Sequence, residues 1–274
     1  MLKPIIEAQR VSKHFPIRGG ILRRVVGSVA AVQEVDLAIG ADESLGLVGE
    51  SGSGKSTLAR LLVGLLLPTG GEVRIAGARL SALRGERLGA ARRRVQMIFQ
   101  DPTNSLNPRM SVEEILSEPL RIHRLVRGRT KRRQWVEELL EAVQLPKAFR
   151  WRVPRELSGG ERQRIGIARA LATNPEVLIC DEPIASLDVS VGAKILELLR
   201  RLRQERGMAL LFISHDLRAV ASLCERIAVM SRGRILEVAP TEQLLAQPSH
   251  PYTDLLLRSA ELDLDAVPVA SGDL

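Results

Sequence analysis

The chain has 274 residues, with 40 basic side chains (only six of them Lys) against 32 acidic, a formal charge of +8 and a pI near 10.3. Hydrophobic residues make up 45% and aromatics only 3%, enough apolar material for one large domain or two small ones and too much for a disordered chain. No run approaches the roughly 20 apolar residues that span a bilayer, and the N-terminal decapeptide carries Glu7 and Arg10 without an apolar stretch, so neither a membrane helix nor a secretory signal is expected.

In chain order, the first buried-strand candidate is Ser44–Val48, followed by a Gly-rich turn and a helical run over Leu58–Leu66 that Pro68 stops. Val95–Phe99 is the second strand candidate. Residues 101–157 read differently, with Pro and Asn breaks followed by helical periodicity. Ser111 and Glu114 have capping-box spacing before Ile115, and Trp135, Val136, Leu139, Leu140 and Val143 share one helical face. Val177–Cys180 and Ala209–Ile213 are further short apolar strands, and Ile227–Glu237 reads as a hairpin turning on Ser231-Arg232-Gly233. Short apolar strands alternating with helical runs predict an α/β fold with a mainly parallel sheet, interrupted by a helical insertion. Such folds place their chemistry in the turns after the strands. Cys180 and Cys224 stand alone without metal-ligand spacing, which suits a reducing compartment.

The turn after the first strand, Gly49-Glu50-Ser51-Gly52-Ser53-Gly54-Lys55-Ser56-Thr57, fits G-x-x-x-x-G-K-[ST] in the required strand–loop–helix context. Glycines let backbone N–H groups curl around a phosphate, and the helix N-terminus adds its dipole. Lys55 is expected to bridge the β- and γ-phosphates of a nucleotide, with the Ser56 hydroxyl a ligand of Mg²⁺. Behind the strand Val177–Cys180 stand Asp181, positioned for Mg²⁺, and Glu182, positioned to polarise an attacking water.

Leu157-Ser158-Gly159-Gly160-Glu161-Arg162-Gln163-Arg164 narrows the reading. Ser158 and Glu161 make a capping box for a helix over residues 161–172, and two glycines at a helix start leave donors open to a phosphate. The segment resembles the signature motif of ATP-binding cassette (ABC) ATPases. The resemblance implies a P-loop NTPase (RecA-like) core with an antiparallel β subdomain and an inserted helical subdomain. One nucleotide-binding domain would cover residues 1–257, the insertion about 101–157, and a tail 258–274. Ser158, Gly159 and Gly160 would reach the nucleotide held by a partner subunit, making the active unit a head-to-tail dimer.

By the same resemblance, Gln100 is the Q-loop glutamine that contacts Mg²⁺, and Ser186-Leu187-Asp188 is the D-loop. His215 is the switch histidine at the γ-phosphate, and Phe15 the aromatic that stacks on adenine, with His14 its neighbour. Phe99 to Pro108, His250-Pro251-Tyr252-Thr253 and the extra length from Pro16 to Ala30 look like the oligopeptide, dipeptide and nickel importer ATPases. ATP and Mg²⁺ are therefore the expected cofactors. The expected partners are permease subunits, a second ABC ATPase subunit and, indirectly, an extracytoplasmic solute-binding protein, with the chain on the cytoplasmic face of the membrane. No Cys follows Cys224, so the iron–sulfur extension of many members is not expected. Ile184 occupies a place where a small polar residue is commoner in the family.

The alternative class is a soluble ABC ATPase acting on nucleic acid, which the basic pI invites. Such relatives carry long coiled-coil or metal-bearing insertions or a second cassette, and none appears in this sequence. The charge instead concentrates in Arg121–Arg133, with seven basic residues and no acid, and in Arg84–Arg94. Such runs are most often solvated surface, and contact with an anionic leaflet or acidic permease loops is the functional alternative.

Overall fold

The computed structural model describes residues 4–19, 24–100 and 105–259, the side chain of Arg24 excepted. In chain order its strands are β1 (Ile6–Gly19), β2 (Arg24–Ile39), β3 (Ser44–Val48), β4 (Gly70–Ile75), β5 (Ala78–Arg79), β6 (Val95–Ile98), β7 (Val177–Asp181), β8 (Ala209–Ile213), β9 (Arg226–Ser231) and β10 (Arg234–Pro240). The α-helices are α1 (Lys55–Leu62), α2 (Gly85–Arg94), α3 (Val112–Ile122), α4 (Arg129–Ala142), α5 (Gly159–Leu171), α6 (Val189–Arg206), α7 (Leu217–Leu223), α8 (Thr241–Ala246) and α9 (Pro251–Ser259). The chain divides into two compact units, an outer one built from Pro4–Ser81 with Leu211 onward, and a middle one, Ala82–Leu210.

In the outer unit, β2-β1-β4-β5 form an antiparallel sheet. Its two long strands bury Ile6, Ala8 and Val11 from one and Val32, Val35, Leu37 and Ile39 from the other. The three-residue steps, Ala8 to Val11 and Val32 to Val35, mark bulges. Arg10 and Glu34 sit there at φ 45° and 46°, and the β1–β2 register shifts on both sides of Val11. The two bulge residues face each other as an exposed ion pair. A second sheet in this unit runs β10-β9-β3-β8, with β3 and β9 parallel from Leu45↔Arg226 to Val48↔Val229. All five residues of β3 are buried. The β9–β10 hairpin turns on Arg232 and Gly233, both at positive φ (46° and 81°), the type I′ geometry that matches strand twist.

The expected helix over residues 58–66 instead starts at Lys55 and stops at Leu62. Gly64, at φ 72°, donates to Leu61 O (3.1 Å), and Leu65 N–H reaches Arg60 O (2.9 Å). This bond pair is a Schellman stop, which satisfies the last carbonyls and ends the helix despite the apolar residues beyond.

In the middle unit, β6 and β7 pair in parallel from Val95↔Val177 to Ile98↔Cys180. The helices start where capping chemistry says they should. Ser111 caps α3 and Ser158 caps α5, each with a complete capping box to Glu114 or Glu161. Asp188 caps α6, which Gly207 closes at φ 56°. Val136, Leu139, Leu140 and Val143 are buried as the periodicity predicts, while Trp135 is half-buried. The basic run from Arg121 to Arg133 lies at the surface, with Arg132 half-buried, and Arg133 pairs with Glu137 at 3.2 Å. No described helix is long and apolar enough to cross a membrane. Residues 101–104 of the expected helical insertion, 20–23 of the Pro16–Ala30 stretch and 260–274 of the expected tail lie outside the described residues.

Candidate nucleotide site

The Gly-rich loop belongs to the outer unit and links β3 to α1. Lys55 is almost fully buried. Its ammonium donates to the carbonyls of Gly49 (2.7 Å) and Glu50 (2.8 Å) and to Ser53 Oγ (3.4 Å). The loop thus closes on the lysine, with Ser53 N–H also donating to Glu50 O at 3.2 Å. The helix start beyond it is prepared for an anion: Gly54 at the N-cap supplies no side-chain cap, and no acid occupies the first turn of α1. Without a capping side chain or a competing carboxylate, the positive end of the helix favours an anion. Gly54 stands at φ 109°, where a Cβ would lie 2.2 Å from Ala31 O, so the loop rests directly on the backbone of β2. The β9–β10 turn braces it further, through Gly233 N–H to Ser53 O and Gln33 N–H to Gly233 O, both 2.8 Å. Ser56 and Thr57 follow half-buried, and Ser51 and Gly52 are exposed at the tip.

After β8, Ser214 is buried and its N–H donates to Leu47 O on β3 (3.3 Å), which fixes the strand end that presents the exposed His215. Asp216 N–H donates to Ser214 Oγ (3.0 Å) and the Asp216 carboxylate caps α7. Phe15, on β1, is 38% exposed, with the Lys13 ammonium 5.4 Å from its ring centroid, a cation–π distance. His14 Nδ1 is engaged with Thr69 Oγ1 at 3.2 Å.

In the middle unit, Asp181 ends β7 and is 1% exposed. Glu182 follows at once in the left-handed region, φ 47°, a conformation that strains a residue with a Cβ. Such strain concentrates where a side chain must be aimed. Gln100, two residues beyond β6, donates from Nε2 to Glu182 Oε2 at 3.1 Å, so the structure brings these two predicted residues together.

The serine-glycine segment lies at the start of α5. Ser158 N–H donates to Glu161 Oε2 (2.7 Å) and Glu161 N–H to Ser158 Oγ (3.3 Å). The Ser158 backbone holds the Glu161 carboxyl below its ordinary range. A Cβ on Gly160 would lie 2.5 Å from Val191 Cγ1, and one on Gly159 3.3 Å from Leu187. The segment therefore packs against the loop that carries Asp188. The Asp188 carboxylate accepts from Val191 N–H (2.9 Å) and the Ser190 hydroxyl (2.8 Å), and these donors hold it below the usual carboxylate range. Ile184 has a packing role here: a Cβ on Gly192 of α6 would meet its Cβ at 3.7 Å.

In the sequence, Tyr252 stands out only as part of the His250-Pro251-Tyr252-Thr253 tail. In the structure its hydroxyl accepts from Glu50 N–H at 3.4 Å, a contact across about two hundred residues that local pattern could not signal.

The sequence profile described as "ABC transporter" matches residues 32–185. The chain is 46% identical over 260 residues to the "Probable peptide ABC transporter ATP-binding protein y4tS" of Sinorhizobium fredii, covering 95% of this chain and 73% of that protein. It is 46% identical to the "Oligopeptide transport ATP-binding protein AppF" of Bacillus subtilis, covering 93% and 78%. It is 45% identical to the "Glutathione import ATP-binding protein GsiA" of Escherichia coli K12, covering 98% of this chain but 42% of that longer protein. Among solved structures, the ATP-binding cassette MJ0796, dimeric and bound to ADP and Pi in a post-hydrolysis state, superposes with a TM-score of 0.76. Its identity is 31%, over 86% of this chain and 98% of that one. These relatives favour transport over the nucleic-acid alternative. The chain belongs to the ABC transporter family, as one of its ATP-binding, ATP-hydrolysing subunits.

Proposed function

We propose that this subunit powers the import of peptides, hydrolysing ATP on the cytoplasmic face of the membrane as a peripheral partner of permease subunits. The observation that carries the nucleotide site is the uncapped, acid-free start of α1 behind a loop folded on Lys55. The substrate class is supported by relatives named for peptide, oligopeptide and glutathione transport.

Each residue takes a role within this reading. Lys55 leaves the Gly49 and Glu50 carbonyls for the β- and γ-phosphates, and the backbone from Glu50 to Thr57, including Ser51, Gly52, Ser53 and Gly54, wraps the phosphate chain. Phe15 stacks on adenine. Ser56, Asp181 and Gln100 are the proposed holders of Mg²⁺, and their hydroxyl, carboxylate and amide oxygens are the hard donors that this ion prefers. When bound, the ion neutralises phosphate charge. Glu182 takes the proton of the attacking water as its oxygen bonds to the γ-phosphorus and the bond to ADP breaks. Gln100 orients that carboxylate, and His215 donates to the γ-phosphate. Ser158, Gly159 and Gly160, at the start of α5, offer donors to the γ-phosphate bound by a second ABC ATPase subunit, with Asp188 anchoring the loop beside them.

The test is uptake of a labelled oligopeptide by cells lacking this chain. Wild-type protein should restore uptake and Lys55→Ala should not, although both reach the membrane. Restoration by Lys55→Ala would refute the phosphate-loop role, and uptake unaffected by loss of the chain would refute the substrate class.

A further inference from the structure

We propose that Tyr252 is a positioning residue for the phosphate loop, and that the C-terminal segment sets nucleotide affinity through its hydroxyl. The proposal rests on the phosphate-loop reading above and adds to it a residue about 200 positions away.

The segment is fastened first. Glu237, on β10, is 8% exposed and its carboxylate accepts from Ser249 N–H (2.8 Å) and His250 N–H (3.1 Å). A buried carboxylate with two backbone donors is a fixed acceptor. His250 immediately precedes α9. Its Nδ1 accepts from Tyr252 N–H (3.0 Å) and its carbonyl from Thr253 N–H (2.9 Å). Thr253 is fully buried. With the backbone on both sides held, Tyr252 has little freedom, and its hydroxyl meets Glu50 N–H at 3.4 Å.

The other end of that residue is the carbonyl on which the Lys55 ammonium rests at 2.8 Å. Tyr252 thus holds one side of Glu50 while the lysine holds the other. Fixing that residue fixes the entry of the loop and the place from which the lysine departs. A loop held in its binding shape loses less freedom when nucleotide arrives, so the hydroxyl acts on affinity rather than on the chemical step. Tyr252 is also the chain's single tyrosine, which makes it addressable without other changes.

The test uses the full-length protein and ATP. Tyr252→Phe keeps the ring and removes only the hydroxyl. It should raise the KM for ATP roughly two- to tenfold, the span of one ordinary hydrogen bond, with kcat within twofold and the unfolding midpoint unchanged. Glu237→Ala should shift KM in the same direction, and the double variant should add nothing to Tyr252→Phe, because the anchor acts through the tyrosine. With 3-fluorotyrosine incorporated, the single fluorine resonance should move as ATP is titrated. An unchanged KM in Tyr252→Phe overturns the proposal, and full additivity of the two substitutions overturns the anchoring. If the wild type bound no nucleotide, the phosphate-loop reading itself would fall; normal wild-type binding with an indifferent Tyr252→Phe defeats only this inference.

Discussion

The two glycines Gly52 and Gly54 stand two residues apart in one loop and should respond very differently to alanine. Both have positive φ, 80° and 109°, so each substitution carries the cost of a left-handed residue with a Cβ, about 1–2 kcal/mol. At Gly52 nothing lies within 4 Å of the added carbon, and that cost is the whole effect. At Gly54 the carbon would stand 2.2 Å from Ala31 O and 2.9 Å from the Met230 methyl. A backbone carbonyl in β2 cannot turn aside as a side chain does, so the loop itself must move, adding about 1–3 kcal/mol of overpacking strain. Gly54→Ala should therefore cost about 2–5 kcal/mol in urea unfolding and Gly52→Ala about 1–2 kcal/mol. Titration with a fluorescent ATP analogue should show Gly54→Ala losing most of its affinity, because the displaced residue is the N-cap of α1. Equal destabilisation by the two, or a Gly54→Ala protein with native affinity, would refute the steric argument.

Ser158→Ala removes a complete capping box at the start of α5 and should cost about 1 kcal/mol in chemical unfolding; a change below a few tenths would mean that the cap contributes nothing. Glu161 has its carboxyl depressed, first by the Ser158 backbone donor. The stabilisation is complete above the unfolded glutamate value of about 4.3 and fades as pH falls through the lower folded value. Hydrogen exchange should show the first turn of α5 opening as pH drops below about 4, and Glu161→Gln should remove that acid response.

Buried strands were legible because length and apolarity identify them: β3 and β8 begin and end at the expected residues, and β6 and β7 differ by one residue. The Gly-rich turn after β3 was legible because its glycines end an apolar run and open a helix at Lys55. Helix starts followed from side chains such as Ser111 and Ser158, which carry their own capping partner three residues on, although α5 begins at Gly159 and ends at Leu171 rather than spanning 161–172. The long strands β1 and β2 were hidden by their bulges, since Arg10 and Glu34 shift the buried set from one parity to the other and erase the two-residue period. The end of α1 was hidden because Leu65 and Leu66 continue an apolar pattern that the Gly64 stop overrides. The Gln100–Glu182 bond joins two strand ends, and the Tyr252–Glu50 bond joins the C-terminal segment to the loop; only the folded chain reveals either.

The most direct measurement is steady-state ATP hydrolysis by Glu182→Gln beside nucleotide binding by the same protein. The strained backbone at φ 47° and the Gln100 hydrogen bond aim this carboxylate, and a general base contributes about 10²–10⁴-fold to rate. The amide should keep ATP affinity and lose at least about a hundredfold in kcat. Hydrolysis at the wild-type rate with binding intact would contradict the assignment of Glu182 as the base and, with it, the account of how this subunit uses ATP.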